Sequence, residues 1–431
     1  VIGTAGEHRT EMNAIVMEHG FRTDFPEAVA RAARDVETHH AETIATEAKN
    51  RSDFRGVTTF TIDPVDAKDY DDALSIREMG DDFEIGIHIA DVTFFVRPGQ
   101  PLDDEAVKRG TSVYLVDATI PMLPHELSGN VCSLKQDEDR LAFSAVFRMN
   151  KNGEVLDRRF ERTIIRSDKR FTYEEAQGVL NAQDGPFLKE LNQLRDLGRI
   201  LRKAREKEGA IDFGDNEVRF ELDTDGKPLR VVRKERIETN LLIEEFMLLA
   251  NREVAKFVSQ LSEKTPEAPI FLYRIHDEPK ADRIDELGTF VRAIGYEFGK
   301  GKKPARPGHS GGYTANDIGN LLKQIAGKPE EHLIRTATLR SMAKAIYSTK
   351  NIGHFGLAFE YYTHFTSPIR RYPDMLVHRI LQSHLSGKPM SKTEFSGLER
   401  MCIAASEQEA KAVSAERDSI RYKLVEFMLE K

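Results

Sequence analysis

One acidic stretch says most about the fold: Thr61-Ile62-Asp63-Pro64-Val65-Asp66-Ala67-Lys68-Asp69-Tyr70-Asp71-Asp72-Ala73. Between positions 63 and 72 it holds five carboxylates and one lysine. Pro64 favours an extended backbone at Asp63, which predicts that the first acid ends a strand. Two carboxylates about 4 Å apart repel each other by roughly 4 kcal/mol at an effective dielectric of about 20, so converging acids either keep protons or bind cations.

The residues on either side of this acidic stretch predict a sheet. We expect strands at 57–62, 73–78 and 83–92, with Gly80-Asp81-Asp82 as a hairpin turn. One face of the third strand carries large apolar side chains at alternate positions, namely Phe83, Ile85, Ile87 and Ile89. The acidic loop therefore joins two strands at one end of a sheet that packs on a core.

Two interpretations of this loop are open. It is either a solvated turn whose acids point outward, or an ordered site at a sheet end, where functional loops are commonly built. A calcium EF-hand loop is excluded, because no choice of first position puts ligands and a glycine where that motif needs them. Oxygen ligands without nearby His or Cys favour Mg²⁺ or Mn²⁺, and two such ions handling a phosphate is the better interpretation.

Composition sets broad limits. The chain has 431 residues, 40% of them hydrophobic, and a net charge of −8, which argues against a wholly basic nucleic-acid coat. No apolar run approaches the roughly 18 residues of a membrane span, and the polar start lacks a signal core. Cys132 and Cys402 form no Cys-x-x-Cys pair, which favours a reducing, cytoplasmic setting. The chain begins with Val1, consistent with an excised fragment.

The segment 335–379 has the opposite charge to the rest. It holds seven Lys or Arg against two acids, interleaved with seven aromatic residues, a mixture suited to a groove that holds phosphates and stacks bases. A core helix pair with solvated charges is the alternative. Within the segment, Arg370 and Arg371 offer planar forks that match phosphate oxygens, although either could instead pair with Asp374 or Glu360.

The last helix carries an acid on an apolar stripe. The stripe steps by three or four residues through Val413, Glu416, Ile420, Leu424 and Phe427. Glu416 is therefore expected to be buried and to need a partner, which could be Arg417, a structural arginine, an active-site arginine or a metal-bound water.

Several strings together resemble the catalytic (RNB) domain of the ribonuclease II and ribonuclease R family, most closely its bacterial ribonuclease R branch. They are Thr61–Ala73, His88–Val92, Tyr114 with Thr119–Pro124, Ile243–Met247, Tyr273–His276 and His354–Arg379. The resemblance implies an α+β fold of the RNB type, a mixed or antiparallel sheet flanked by helices, with an RNA channel leading to a buried metal site. Residues 1–50 would be a helical linker and 51–431 the RNB domain, with 386–431 as its C-terminal helix. The flanking cold-shock and C-terminal RNA-binding barrels of the family are expected to be absent.

The resemblance also implies an activity. It is a processive, hydrolytic 3′→5′ exoribonuclease that releases 5′-mononucleotides from single-stranded RNA, or from structured RNA with a 3′ overhang. Two Mg²⁺ ions would serve it, or Mn²⁺, while DNA would be bound weakly or left uncut, and no membrane is involved. A catalytically silent RNA-binding or regulatory protein on the same fold is the alternative, and loss of metal-site aspartates would mark it. The sequence does not identify any protein partner.

Site residues follow from the same resemblance. The acids Asp63, Asp69 and Asp72 would hold metal, and Asp71 would help hold the terminal nucleotide. Arg370 would contact the scissile phosphate, and Glu416 would be the catalytic glutamate. The expected RNA contacts are Tyr114 and Phe220 as a stacking clamp, with Phe213 as the alternative to Phe220, Tyr173 and Glu245 or Glu244 at the ribose, and Arg371.

Overall fold

A computed structural model describes residues 7–214, 218–233, 235–261, 270–299, 313–389 and 392–429. The strands in these ranges are β1 (Ser52–Asp53), β2 (Thr59–Asp63), β3 (Asp72–Met79), β4 (Asp82–Ala90), β5 (Val113–Tyr114), β6 (Thr119–Ile120), β7 (Asp139–Met149), β8 (Val155–Arg166), β9 (Lys169–Thr172), β10 (Val218–Leu222), β11 (Pro228–Arg233), β12 (Tyr273–Ile275) and β13 (Ile346–Ser348).

The α-helices in the same ranges are α1 (His8–Glu18), α2 (Glu27–Glu47), α3 (Val92–Phe95), α4 (Pro101–Arg109), α5 (Tyr173–Ala182), α6 (Leu188–Glu208), α7 (Glu238–Leu261), α8 (Ala281–Ala293), α9 (Ala315–Ile325), α10 (Glu331–Ser341), α11 (Tyr372–Leu385) and α12 (Lys392–Leu429). Among them, no helix is both long enough and apolar enough to cross a membrane.

A seven-stranded mixed sheet forms the centre, in the order β1-β8-β7-β4-β3-β2-β9. Its middle is antiparallel, while β1 on β8 and β9 on β2 are parallel pairs at the two edges. The fold is therefore α+β with a mixed sheet, as predicted.

Both faces of the middle strands are covered. On the predicted apolar face of β4, Ile85, Ile87 and Ile89 are fully buried and Phe83 is half-buried, and His88 on the opposite face is buried as well. The His88 ring bonds the hydroxyls of Ser75 and Ser144 at 2.9 and 2.7 Å, because a buried polar ring needs partners. Burial from both sides makes the sheet a rigid base for the loops at its ends.

Three helical predictions can be compared with the structure. α7 was expected to be buried nearly all round over 240–258, and the helix spans Glu238–Leu261 with most of its apolar residues buried. The helical interpretation of 1–50 is realised in α1 and α2, although residues 1–6 lie outside the described ranges. The C-terminal helix begins at Lys392, not at 386, because Gly387 adopts a φ of +66° and ends α11.

Candidate active site

The acidic loop joins β2 and β3 at one end of the sheet. Asp63 is the last residue of β2 and Asp72 the first of β3, and the strands pair so that both lie at the same end. β9 runs alongside, with Thr172 opposite Asp63, and α5 begins at the next residue, Tyr173. A capping box between Thr172 and Glu175 fixes that helix start. The strand ends therefore bring Tyr173 beside two of the predicted metal ligands.

Four acids of this loop, Asp63, Asp69, Asp71 and Asp72, are partly or fully buried. Within the described residues, Asp63 Oδ2 and Asp71 Oδ2 are buried oxygens without a hydrogen-bond partner. Burial, and then repulsion from Asp72, raises the pKa of Asp63 to about 8. Burial also raises the pKa of Asp72 to about 6, the pKa of Asp71 well above its ordinary value, and the pKa of Asp69. A cation beside these acids would favour their charged forms and offset the cost of their burial.

The arginine string meets this cluster from the far end of the chain. The Ile369 N–H donates to Asp71 Oδ1 at 2.9 Å, although the two residues are 298 positions apart. Arg370 Nε lies 3.5 Å from Asp71 Oδ2, and Arg370 Nη2 donates to Ser367 Oγ at 2.8 Å. The Arg370 side chain is 41% exposed, so part of it stays accessible to solvent beside the buried Asp71 carboxylate. A phosphate placed there would meet a cationic fork and the acids together.

Buried polar side chains hold the loop that carries Arg370. Asn251 on α7 accepts the Phe365 N–H at 2.7 Å, and His378 Nε2 donates to the Phe365 carbonyl at 2.7 Å. Asp374 accepts the Ser367 N–H at 2.8 Å. Asn251 and His378 were not among the predicted site residues. The only sequence signal for them was their polarity within otherwise apolar helices.

Arg371 does not share the position of Arg370. Two of its nitrogens donate to Asp374 at 2.9 and 2.8 Å, and Asp374 is fully buried. Burial opposes the charge on Arg371, yet Asp374 holds its pKa above the ordinary value. The alternative of pairing with Asp374 is therefore realised for Arg371, and a contact between Arg371 and RNA would have to compete with this ion pair.

Two tyrosines flank the acids. Burial raises the pKa of Tyr114 to about 12, with Arg370 opposing and Asp69 and Asp71 adding to the rise. Burial also raises the pKa of Tyr173, with Asp72 and Asp63 as the next causes. Tyr114 is nevertheless 38% exposed, so part of its side chain is accessible for stacking on a base. Tyr114 and Tyr173, the two tyrosines predicted to contact RNA, therefore lie close enough to the aspartates to interact with them electrostatically.

The prediction that Glu416 is buried was wrong. Glu416 is exposed on α12, and Val413 on the same predicted stripe is 38% exposed. The buried face of this part of the helix is offset by one residue and carries Ala412, Ala415, Ser419 and Lys423. Small side chains allow α12 to approach its neighbours closely, which a hydrophobicity pattern does not weigh. The catalytic role of Glu416 stays a prediction.

Phe220 and Phe213, the two candidates for the second aromatic residue of the clamp, lie in different parts of the fold. Phe220 is buried in the β10–β11 hairpin opposite Val231, while Phe213 packs against the small core formed by α8–α10. Arg219, next to Phe220, lies 3.8 Å from Asp66, which sets the hairpin beside the acidic loop.

Glu245 is committed to another partner. It is buried and accepts from Arg205, whereas Glu244 is more exposed and pairs with Arg236. A ribose contact by Glu245 would require the ion pair with Arg205 to open.

Comparison with known proteins identifies the family. Residues 51–387 match the family model of the RNB domain. The chain belongs to the RNB family. Curated relatives include Ribonuclease R 1 of Lactococcus lactis, 36% identical over 100% of this chain and 52% of the relative, and Ribonuclease R of Thermotoga maritima, 36% identical over 99% of this chain and 60% of the relative. The Ribonuclease R of Escherichia coli is also 36% identical, over 90% of this chain and 48% of the relative. The chain thus spans about half to three fifths of the length of these relatives.

Solved structures share the fold of this RNB domain. RNase R of Mycoplasma genitalium, in complex with ribose methylated single-stranded RNA, matches with a TM-score of 0.88 and 25% identity, covering 99% of this chain and 66% of that one. Yeast Ssd1, a pseudonuclease, matches with a TM-score of 0.76 and 18% identity, covering 97% of this chain and 51% of that one. The second likeness shows the fold alone.

The acids of this RNB domain fit a hard divalent cation, although they do not form a complete cage. In the part of the chain that the structure describes, no three His, Cys, Asp or Glu side chains converge as a ready-made metal site. Asp63 and Asp71 each have a buried oxygen without a hydrogen-bond partner, and burial raises the pKa of both carboxyls, so a bound cation would stabilise their charged forms. Mg²⁺ commonly takes one or two carboxylates and completes its shell with water and substrate phosphate, so an incomplete protein shell suits it.

Proposed function

We propose that this chain is the catalytic part of a processive, hydrolytic 3′→5′ exoribonuclease that releases 5′-mononucleotides. Its substrate would be single-stranded RNA, or structured RNA with a 3′ overhang. The observation that carries the proposal is the contact of Arg370 with the buried carboxylate of Asp71, 3.5 Å away, in a group of aspartates where Asp63 and Asp71 each have a buried oxygen without a hydrogen-bond partner. The family membership and relatives named Ribonuclease R support it.

Each residue of the cluster has a physical role in this proposal. Asp63, Asp69 and Asp72 would hold the divalent cations, Mg²⁺ or Mn²⁺, two in number. Such ions supply positive charge at the phosphate and at the oxygens that attack and leave it. Arg370 would donate to the phosphate oxygens as negative charge grows on them, because a fixed donor needs no reorganisation at that moment. Asp71 would hold Arg370 and the terminal nucleotide in register.

The remaining contacts would guide the strand to the acids. Tyr114 would stack on a base close to the cleaved end, and Tyr173 would approach the ribose from the other side of the acids. Glu416 would act from α12 as the catalytic glutamate, and Phe220 would complete the clamp. A cytoplasmic location is part of the proposal, since Cys132 and Cys402 are both free and buried, as in a reducing compartment.

Replacing Tyr114 with alanine is expected to change where degradation stops more than how fast it proceeds. Stacking contributes about 1 to 3 kcal/mol per base, enough to decide when a short RNA dissociates. The measurement is the length of the final oligonucleotide on a sequencing gel, compared with the initial rate on long RNA. An unaltered end product would remove Tyr114 from the clamp.

The alternative, a silent RNA-binding protein on the same fold, is not favoured, because all four aspartates and Arg370 are present.

A time course with matched RNA and DNA strands tests the proposal. We expect RNA to be degraded and DNA to be cut poorly, since DNA lacks the 2′-hydroxyl that an RNA enzyme can contact. RNA affinity should also fall steeply with salt, by a slope of roughly −0.7 per phosphate contact on a log–log plot. Equal cutting of both strands, or binding that salt leaves unchanged, would overturn the proposal.

A further inference from the structure

The ribbon that carries Tyr114 is too small to hold its own shape. It consists of two two-residue strands, β5 and β6, in which Val113 pairs with Ile120 and Tyr114 with Thr119. A two-stranded ribbon is marginally stable in water unless another element backs it. Side chains alternate along a strand, so Val113 turns to the side opposite Tyr114. Whatever packs on Val113 therefore decides where Tyr114 sits.

The backing comes from the first helical segment and from the last helix. Val16 and Phe21 form one small buried cluster with Val113 and Ile120 of the ribbon and Ala412 and Ala415 of α12. This cluster is separate from the main core of the sheet. Residues 7–25, which we call the N-terminal strap, and all of α12 lie outside the stretch 51–387 that matches the RNB domain.

Polar contacts fix both ends of the strap. At its start, His8 Nε2 bonds the carboxylate of Asp117, in the turn of the ribbon. At its other end, His19 Nε2 bonds Asp418 of α12 at 2.9 Å, two residues beyond Glu416. The strap thus connects the turn of the tyrosine ribbon to the helical turn that presents Glu416.

A third anchor ties the strap to the ribbon and to Arg370. Arg109 donates to the carbonyls of Arg22 and Asp24 at 3.1 and 2.6 Å, and also to that of Pro121 at 3.2 Å, just after the ribbon. At the same open end of the ribbon, the Ser112 N–H donates to the Arg370 carbonyl at 2.9 Å. The ribbon is therefore held between the strap and the backbone of the arginine loop.

We propose that the N-terminal strap is a positioning element that sets the placement of Tyr114 relative to the acid cluster, and thereby the shortest RNA that stays bound. The inference rests on the proposed function, because it gives Tyr114 an RNA to stack on. The strap itself touches no substrate in this account. Its residues act through the ribbon and α12.

The test uses the full chain with His8→Ala and His19→Ala combined. We expect the final oligonucleotide to change in the same direction as with Tyr114→Ala and KM for short RNA to rise severalfold, while kcat on long RNA changes little. The paired change to glutamine should restore the parent behaviour, because the glutamine amide keeps a donor for each aspartate. His39→Ala is the matched control, since that exposed ring bonds only within α2.

Two readouts separate failure of this inference from failure of the proposed function. Combining the strap variant with Tyr114→Ala should add no further change in product length, because coupled residues act non-additively; additive changes would overturn the inference. Hydrogen exchange needs no activity: faster exchange at residues 111–121, with β3 and β4 unchanged, supports the strap. Unchanged exchange in the ribbon overturns it, whether or not the parent degrades RNA.

Discussion

Replacing Asp71 with asparagine is expected to abolish nearly all RNA hydrolysis while RNA binding persists. The change removes the negative charge that faces Arg370 Nε and the cation site, but it can keep the oxygen that accepts the Ile369 N–H. Loss of register at a reacting centre costs on the order of 10²-fold or more in rate. Single-turnover rates and RNA affinity measured on the same preparation check this expectation.

Loss of activity in that variant would not reflect unfolding. Burial raises the pKa of Asp71, so the folded state holds its proton more tightly than the unfolded state does, and this group's contribution to stability falls as pH rises above the unfolded pKa. At neutral pH a neutral amide therefore removes a cost, and the melting temperature should not drop. Asp66→Asn is the matched control in the same loop, because Asp66 is largely exposed. Equal losses of binding and turnover in Asp71→Asn would contradict the role given to Asp71.

Replacing Arg370 with alanine is expected to lower turnover by about 10²- to 10³-fold, the usual cost of removing one fixed donor from a developing oxyanion. The chain should remain folded, because the Arg370 side chain is 41% exposed and Asp71 keeps its bond from Ile369. Turnover and melting temperature measured together separate chemistry from stability. Near-normal turnover would refute the assigned contact with phosphate.

Replacing the neighbouring Arg371 with alanine is expected to lower stability. Arg371→Ala leaves the fully buried Asp374 without its main partner. Breaking a buried ion pair in this way costs about 3 to 5 kcal/mol, so the melting temperature should fall clearly. Two adjacent arginines would then separate into one that acts on substrate and one that holds the loop.

The parts of the site that sequence predicted are those whose chemistry is local. The acidic loop was evident because its strand flanks and its acids lie within a few residues of one another, and the mixed sheet followed from the flanks and the resemblance. Without the resemblance, Arg370 and Arg371 were indistinguishable, because their difference depends on which of them reaches Asp374 after α11 has formed. No spacing in the sequence records that choice.

The prediction that Glu416 is buried failed for a physical reason. On α12, the apolar stripe through Val413 looked like the core face, yet the helix packs through Ala412 and Ala415, where small size matters more than hydrophobicity. Lys423 on the same face is fully buried because its ammonium donates to the Gly226 carbonyl at 2.6 Å and pairs with Glu426. Such partners become visible only once distant segments are in contact.

The central claim, that the acid cluster with Arg370 removes nucleotides one at a time from the 3′ end, is tested most directly with end-labelled RNA. One RNA carries a 3′ label and another a 5′ label, and each is incubated with the chain in Mg²⁺ or in EDTA. We expect the 3′ label to appear at once as a 5′-mononucleotide and the 5′-labelled strand to shorten to a small end product. EDTA should stop the degradation of both RNAs. Labelled internal fragments, release that begins at the 5′ end, or full activity in EDTA would contradict the central claim.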